Sequence, residues 1–361
     1  MAVRLMAVPL LDRLDAREGW MYEGIHQVSR EVMLDIYGDT DNVQTAEEIR
    51  VDARYDPSSE FVYVVAVEGQ DSSDNVVGFA SGDMPTRSNL NLVRTHVQVR
   101  PDHRRRGIGT QLAEWMEQTS QQRGRTSWLT MVEFAEIRPG TRTITAAEGD
   151  QMPASSPGLD FALTRGYTLR QIERRSRLDL PVAPNLLDQL EQEAHSRTEG
   201  YRFHQWLGVP PEEWLPKIAD LTTAMSTDPP LGGVSFNKDP WDGERYRQGF
   251  MRRDAKGHNT LTTIAEDILT GQCAGVTDIM APRWERDFAD QGNTIVRRDH
   301  RGHRLGLALK VLNLRFLAQL HPELNRILTE NASENTHMLS INTALGFYRS
   351  GGIGWLQRGD R

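Results

Sequence analysis

VQVRPDHRRRGIGTQL, from Val97 to Leu112, and TIVRRDHRGHRLGLAL, from Thr294 to Leu309, are two copies of one pattern set 197 residues apart. Val99 matches Val296, Asp102 and His103 match Asp299 and His300, Arg104 matches Arg301, Gly109 matches Gly306 and Leu112 matches Leu309. Seven identities within fourteen positions, Arg100 with Arg297 among them, are hard to assign to chance, and an internal repeat governs the reading of everything around it. In each copy an alternating apolar stretch runs into an arginine-rich turn. A helical run follows, Gly109 to Gln122 and Gly306 to Leu320, and then an apolar strand, TSWLTMVE or NRILTE. Glu133 and Glu330 close those strands at the same offset.

Working outward, a glycine and an aromatic recur as Gly166-Tyr167 and Gly346-Phe347, 57 residues after Gly109 but only 40 after Gly306. The surplus of 17 lies in IRPGTRTITAAEGDQMPASSPG, and a loop that long in a compact domain is a lid, a binding loop or disordered. Upstream, FVYVVAVEGQDSSDNVVGFASGDM and LTTIAEDILTGQCAGVTDIM each read as two strands joined by a turn. Helices are expected before them, near Arg17 to Asp35 and Pro210 to Met225, with a first strand at the N-terminus. The prolines of Leu178 to Pro184 interrupt a strand-like run and mark the joint. The expectation is mixed α/β (α+β): two tandem domains, 1–180 and 181–361, each a mixed, mostly antiparallel sheet flanked by helices. A length of 361 residues favours two cores over one.

Composition removes several classes. The chain is 38% hydrophobic and 25% charged, with a formal charge of −8 that argues against a general nucleic-acid binder. No apolar run approaches the roughly 20 residues that span a membrane. The N-terminal apolar stretch is broken by Arg4, Asp12 and Arg13 and has no small-residue cleavage site after it. A cytoplasmic protein with no membrane or nucleic-acid partner is expected. A single cysteine, Cys273, rules out an intrachain disulfide and a cysteine-based zinc cluster. It sits in an alternating apolar stretch and reads as a packed structural thiol. No His or carboxylate spacing suits a metal, so none is expected.

The repeated turn has a direct physical use. The first amides of a helix lack intrahelical partners and carry the positive end of the dipole, so they attract an anion. Glycines at 107 and 109 let a phosphate come close to the backbone, and Arg104, Arg105 and Arg106 add charge. Taken alone the turn is also compatible with a basic surface turn; the repeat favours the anion site. The run Arg104-Arg105-Arg106-Gly107-Ile108-Gly109 after the strand VQVRP resembles the acyl-CoA signature of the GNAT acetyltransferases. That resemblance covers most of both halves and implies an acetyl-CoA cosubstrate. It implies pyrophosphate contacts at Arg104, Arg105, Arg106, Gly107, Ile108, Gly109 and Thr110, and pantetheine pairing at Val97 and Val99. In the second copy it implies Arg301, Gly302, His303, Arg304, Leu305, Gly306, Leu307 and Ala308, with Val296 on the strand. Arg304 departs from the pattern, standing where the family has its first glycine. The second copy has the fuller downstream run, Asn331 through Asn335, Met338 and Asn342 to Gly346-Phe347, which looks like the segment flanking the thioester and implies coenzyme contacts from Asn335 and Asn342. This half, with the loop Ser226 to Gly232, looks closest to actinobacterial two-domain members.

Acyl transfer to an amine needs a neutral nucleophile, yet an alkylammonium has a pKa of about 10.4, so a base or a desolvating pocket is required. Glu330 and Glu133 are the candidate bases, each also readable as a solvated strand-end carboxylate, with Asp290 as a fallback. The tyrosine that many relatives place five residues before the terminal aromatic is absent: the count lands on Asn342 and Ala162. His103 and His300 suit a structural or phosphate contact better than a catalytic one. The expected activity is N-acylation of a small-molecule amine by a monomeric protein, with the second copy favoured as catalytic for its complete Asn335-to-Phe347 run. Asp228, Asp278 and Glu330 favour a cationic acceptor. The alternative is an acyl-CoA-binding module or sensor without turnover.

Overall fold

The computed structural model describes residues 3–359 apart from 42, 57, 147–149, 226–236, 238 and 285–286. The expected Ser226 to Gly232 loop, Asp228 included, lies outside the described residues. The chain divides into two compact units, one made in the main of Met1–Ile172 with Ile353–Arg361, the other of Glu173–Gly232 with Asn237–Gly352.

The first unit runs β1 (Val3–Ala7), α1 (Trp20–Tyr37), α2 (Ala46–Tyr55), β2 (Ser59–Glu68), β3 (Val76–Pro85), β4 (Leu92–Val99), α3 (Ile108–Gln122), β5 (Ser127–Ala135), β6 (Thr143–Thr145), β7 (Gln151–Pro153) and α4 (Pro157–Thr164). β8 (Thr168–Asp179) starts in this unit and ends in the second. The second unit continues with α5 (Pro184–His195), β9 (Tyr201–Leu207), α6 (Leu215–Met225), α7 (Gly243–Ala255), β10 (His258–Asp267), β11 (Cys273–Pro282), β12 (Phe288–Val296), α8 (Leu305–Leu320), β13 (Arg326–Ala332) and α9 (Thr336–Leu345). β14 (Tyr348–Gly359) starts in the second unit, and its residues from Ile353 onward belong to the first.

Both units use one strand plan. β1 to β4 pair antiparallel in sequence order and β4 pairs β5 in parallel. Likewise β9 to β12 pair antiparallel, β12 pairs β13 in parallel, and β13 pairs the end of β8 antiparallel. The alternation of β2 explains the layering, since successive strand residues face opposite sides. Val64 and Ala66 pack with Ile108, Leu112 and Met116 of α3, while Val65 and Val67 pack with Ile25, Val28 and Val32 of α1. Each such buried Val, Leu, Ile or Met side chain stabilises the fold by about 1.5–3 kcal/mol. α2 starts at a capping box: Thr45 Oγ1 accepts from the Glu48 amide at 3.2 Å, and the Glu48 carboxylate accepts from the Thr45 amide at 2.6 Å. In the second unit α8 is far more apolar than α3, because α5 covers its other side through Leu187, Leu190 and Ala194.

The proline- and glycine-rich surplus in the first unit is partly built rather than wholly loop. β6 and β7 form a short antiparallel hairpin. Its Met152 is fully buried, with Ile144 and Ala146 packed in the same cluster as Leu159 of α4. Cys273 is buried as expected of a packed thiol, and burial pushes its pKa up to about 12, well out of range for a nucleophile.

Candidate active site

The repeated turns are the same device in both units. After β4, a 3₁₀ turn over Pro101–His103 leads to Arg104 in extended conformation, whose Nε donates to the Val99 carbonyl at 3.2 Å. Arg105 and Gly107 then take left-handed backbone, φ +62° and +81°, and α3 begins without a side-chain cap. The amides of Ile108, Gly109 and Thr110 are therefore left for an anion. A Cβ placed on Gly107 would meet nothing within 4 Å, so a phosphate has room against the backbone. After β12 the 3₁₀ turn is Arg298–His300, and Arg301 Nε donates to the Val296 carbonyl at 3.4 Å, matching Arg104. The left-handed positions are here Gly302 at φ +85° and Arg304 at φ +56°. Each turn thus needs two left-handed residues and fills one with glycine and one with arginine, in opposite order. Arg304 replaces a glycine without changing the backbone, at a cost of about 1 kcal/mol. Its guanidinium points to Glu193 of α5, 2.7 Å away. Leu305, Gly306, Leu307 and Ala308 form the uncapped first turn of α8.

The histidines of the repeat are held by their neighbours. His103 Nδ1 lies 2.7 Å from Asp102 and its Nε2 lies 3.4 Å from Glu68, a carboxylate that also accepts from Arg106 at 3.0 Å. His300 Nδ1 meets the Tyr201 hydroxyl at 2.9 Å, and His303 stacks at an angle on the same tyrosine.

β4 and β5 pair only from Leu92 opposite Ser127 to Thr95 opposite Thr130. Both strands run on, to Val99 and Ala135, so they splay beyond that point. Val97 and Val99 lie on the splayed part and pair with β3 alone. A small cleft of about 60 Å³, open to solvent, occupies the splay on the α3 side. Thr95, Val97, Thr130 and Val132 form its strand wall; Ala113, Met116 and Glu117 of α3, and Phe161, Ala162 and Arg165 at α4, form the rest, with Tyr167. Tyr167 is buried and its hydroxyl is bonded to Thr95, the last paired residue. Burial raises the phenol's pKa, which the Thr95 bond and Arg358 partly offset. The Arg358 guanidinium lies 4.9 Å from the ring centroids of both Trp128 and Tyr167 and pairs with Glu117 at 2.9 Å. Arg165 meets the same carboxylate at 2.8 Å.

On the opposite face of the splay sits an ionisable pair. Thr95 and Val97 face the cleft, so His96 faces the α1 side, edge-on to Phe79. Glu133 of β5 comes to it across the gap, Oε1 3.3 Å from His96 Nε2, with their side chains 11% and 23% exposed. Burial alone would lower the His96 pKa, but the charge of Glu133 and the bond to it outweigh that and hold it above the ordinary histidine value. No spacing in the sequence joins residues 96 and 133; the parallel pairing of their strands does.

The second unit departs from this in detail. β12 and β13 part after Asp290 opposite Leu328, which puts Asp290 at the head of that splay. Glu330 lies beyond it, exposed. The position matching His96 is Asn293, so there is no histidine for Glu330 to pair with there. β12 also bulges: Gln291 pairs Ile279 and Thr294 pairs Thr277, leaving Gly292 and Asn293 opposite the single residue Asp278. Asn335 is the N-cap of α9, accepting from the Met338 amide at 3.2 Å. Asn342, expected at the coenzyme, is buried instead; its Oδ1 accepts from Lys310 Nζ at 2.9 Å and its Nδ2 donates to Asn331 Oδ1 at 2.7 Å. Both ends of that amide are committed inside the protein. Among the described residues no group of three or more His, Cys, Asp or Glu side chains could hold a metal, and no helix is long and apolar enough to cross a membrane.

Residues 28–136 match the acetyltransferase (GNAT) family. No curated protein matches the chain. Among solved structures, a tandem GNAT protein from the clavulanic acid biosynthesis pathway, without acetyl-CoA, is similar over 99% of this chain and 98% of its own, with a TM-score of 0.73 at 23% identity. A GCN5-related N-acetyltransferase from Sphaerobacter thermophilus is similar over 98% and 95%, with a TM-score of 0.60 at 15% identity. A putative acetyltransferase from Pyrococcus horikoshii is similar over 99% and 90%, with a TM-score of 0.53 at 12% identity. At these identities the likeness establishes the fold.

Proposed function

We propose that this chain, which carries a GNAT acetyltransferase domain in its first half and the tandem GNAT fold over its length, moves an acyl group from a coenzyme A thioester to the amine of a small molecule, with the chemistry in the first unit. The observation that carries the reading is the splay of β4 and β5, with an open cleft on one face and the His96–Glu133 pair on the other. The fit to acetyl-CoA rests on the uncapped α3 terminus and the open approach at Gly107. When bound, that cosubstrate supplies a thioester whose carbonyl accepts the amine.

The residues then have separate tasks. Arg104, Arg105 and Arg106, with the first α3 amides, hold the pyrophosphate, and the unpaired edge of Val97 and Val99 orients the arm leading into the cleft. Backbone amides of β4 near Val99 polarise the carbonyl. Glu133 takes the proton of the incoming ammonium and His96 fixes its carboxylate, the pair working from the face opposite the cleft. At the cleft floor the Tyr167 phenol returns a proton to the departing thiolate, a task that the sequence pattern leaves unassigned. Glu330 and Asp290 remain the bases proposed should the second unit also turn over.

The test is thiol release from acetyl-CoA against a panel of small amines. Glu133→Gln is expected to lower kcat by about 10²-fold or more. In the wild type, kcat/KM is expected to fall as pH drops through the His96 transition, which lies above 6.5, because the pair must be unprotonated to act. That limb should vanish in His96→Gln. A fall confined to Glu330→Gln would move the chemistry to the second unit. Slow thiol release with no dependence on any amine would favour the coenzyme-binding module.

A further inference from the structure

Lys310 is the most deeply buried lysine among the described residues, 2% exposed on the sixth position of α8. Its Nζ donates to Asn342 Oδ1 of α9 at 2.9 Å and lies 5.4 Å from the Phe347 ring centroid. Asn342 in turn reaches Asn331 of β13. A chain of side chains therefore ties the helix after the coenzyme turn, the next helix and the splayed strand to one another.

The repeat says what that place is. The offset of the first half of the repeat matches Lys310 with Ala113, and the Gly-aromatic pair matches Asn342 with Ala162 and Phe347 with Tyr167. Ala113, Ala162 and Tyr167 are three of the residues that line the open cleft of the first unit. The same three positions that leave room in one unit are, in the other, in mutual contact. Two alanines with no polar atom in their side chains have become an ammonium and an amide bonded across the gap.

We infer that Lys310 bars the second cleft, so that each chain binds a single acyl-CoA, in its first unit, although both units keep the turn that would hold the pyrophosphate. This rests on the acyl-CoA reading of the first unit. An arm entering the second cleft would have to displace Lys310 from between α8 and α9 and leave the Asn342 amide without its donor, a buried loss. The second unit then serves the fold and not the donor site. The buried ammonium has one hydrogen bond in an apolar surround, and burial lowers its pKa to about 7, so its neutral form is well populated and the bar needs no permanent charge.

The experiment is calorimetric titration of the full chain with acetyl-CoA, in the wild type, Arg104→Glu, Lys310→Ala and Lys310→Ala with Arg301→Glu. Alanine is chosen because the first unit already carries it there as Ala113. One site is expected in the wild type, weakened at least about tenfold by Arg104→Glu, the order of one lost charge-assisted contact. A second site is expected in Lys310→Ala, and Arg301→Glu should remove it. Two sites in the wild type, or a single wild-type site indifferent to Arg104→Glu, would overturn the inference while leaving an acyl-CoA protein. A folded Lys310→Ala protein with still one site would show that something other than Lys310 closes the cleft. No binding in any variant would overturn the acyl-CoA reading itself, and the bar with it. Should Lys310→Ala fail to fold, the wild type and Arg104→Glu decide between one site and two.

Discussion

Tyr167 and Phe347 occupy matching places, and the hydroxyl that separates them lies at the last paired residue of a splay in one unit and is missing in the other. Tyr167→Phe is therefore a change the fold already tolerates once. It is expected to lower kcat up to about 10²-fold, the low end for a proton donor because a thiol is a fair leaving group, with acetyl-CoA affinity little changed. Equal losses in affinity and kcat would make the tyrosine a wall of the cleft and nothing more. Lys310 gives the matching prediction for stability. Its pKa in the fold, about 7, is below the ordinary lysine value of 10.5, so between these values the unfolded chain binds more protons and stability rises with pH. The penalty is fullest below pH 7. The melting temperature of Lys310→Met minus that of the wild type should accordingly be largest near pH 6.5 and shrink toward pH 9.5; a difference independent of pH would mean that the lysine keeps its charge in the fold throughout. The residues of the turns were legible because charge and glycine lie together in the chain. Lys310 left a fainter trace, one lysine inside LGLALKVLNL, a stretch otherwise apolar enough to read as core. His96 left none, since its partner is a strand away.

At the scale of elements, the turn that leads into α3 carries a strained arginine. Arg105 is exposed at φ +62°, a conformation that costs about 1 kcal/mol in any residue but glycine. Arg105→Gly should raise thermal stability by a fraction of that, glycine also loosening the unfolded chain, and should weaken acetyl-CoA binding in the same protein. Opposite signs in calorimetric melting and in titration would be the signature of strain kept for a charge at the mouth of the site; stability lost on the change would refute it. The elements themselves were read well where alternation or a helical period ran for nine residues or more, as in β2, β3, β10, β11 and α3. The hairpin β6–β7 escaped because each strand is three residues long in a stretch rich in proline and glycine, and only the burial of Met152 makes it structure.

For the whole molecule, the unit boundaries follow the strands and not the joint at Leu178 to Pro184. β8 and β14 each contribute to both units, and nothing in an alternating strand announces which partner it will have. The last strand brings the first unit Arg358, stacked on Tyr167, and Gln357, whose amide donates to Ser127 Oγ at 3.0 Å. Removing residues 353–361 should abolish a cooperative melt for the first unit and the acetyl-CoA site with it, read by calorimetry and titration; a fragment 1–180 should behave the same way. Retention of binding by either would mean that the first 172 residues suffice. The placement of those final residues also sets an order in time. Most of the unit proposed to hold acetyl-CoA leaves the ribosome before the second unit, yet the strand that completes it is made about 180 residues after Ile172. At roughly 5–20 residues per second, that is a wait on the order of ten to forty seconds. During synthesis the splayed sheet lacks that strand until residues 353–359 emerge, so a product truncated before them would carry the repeated turn without a finished site behind it.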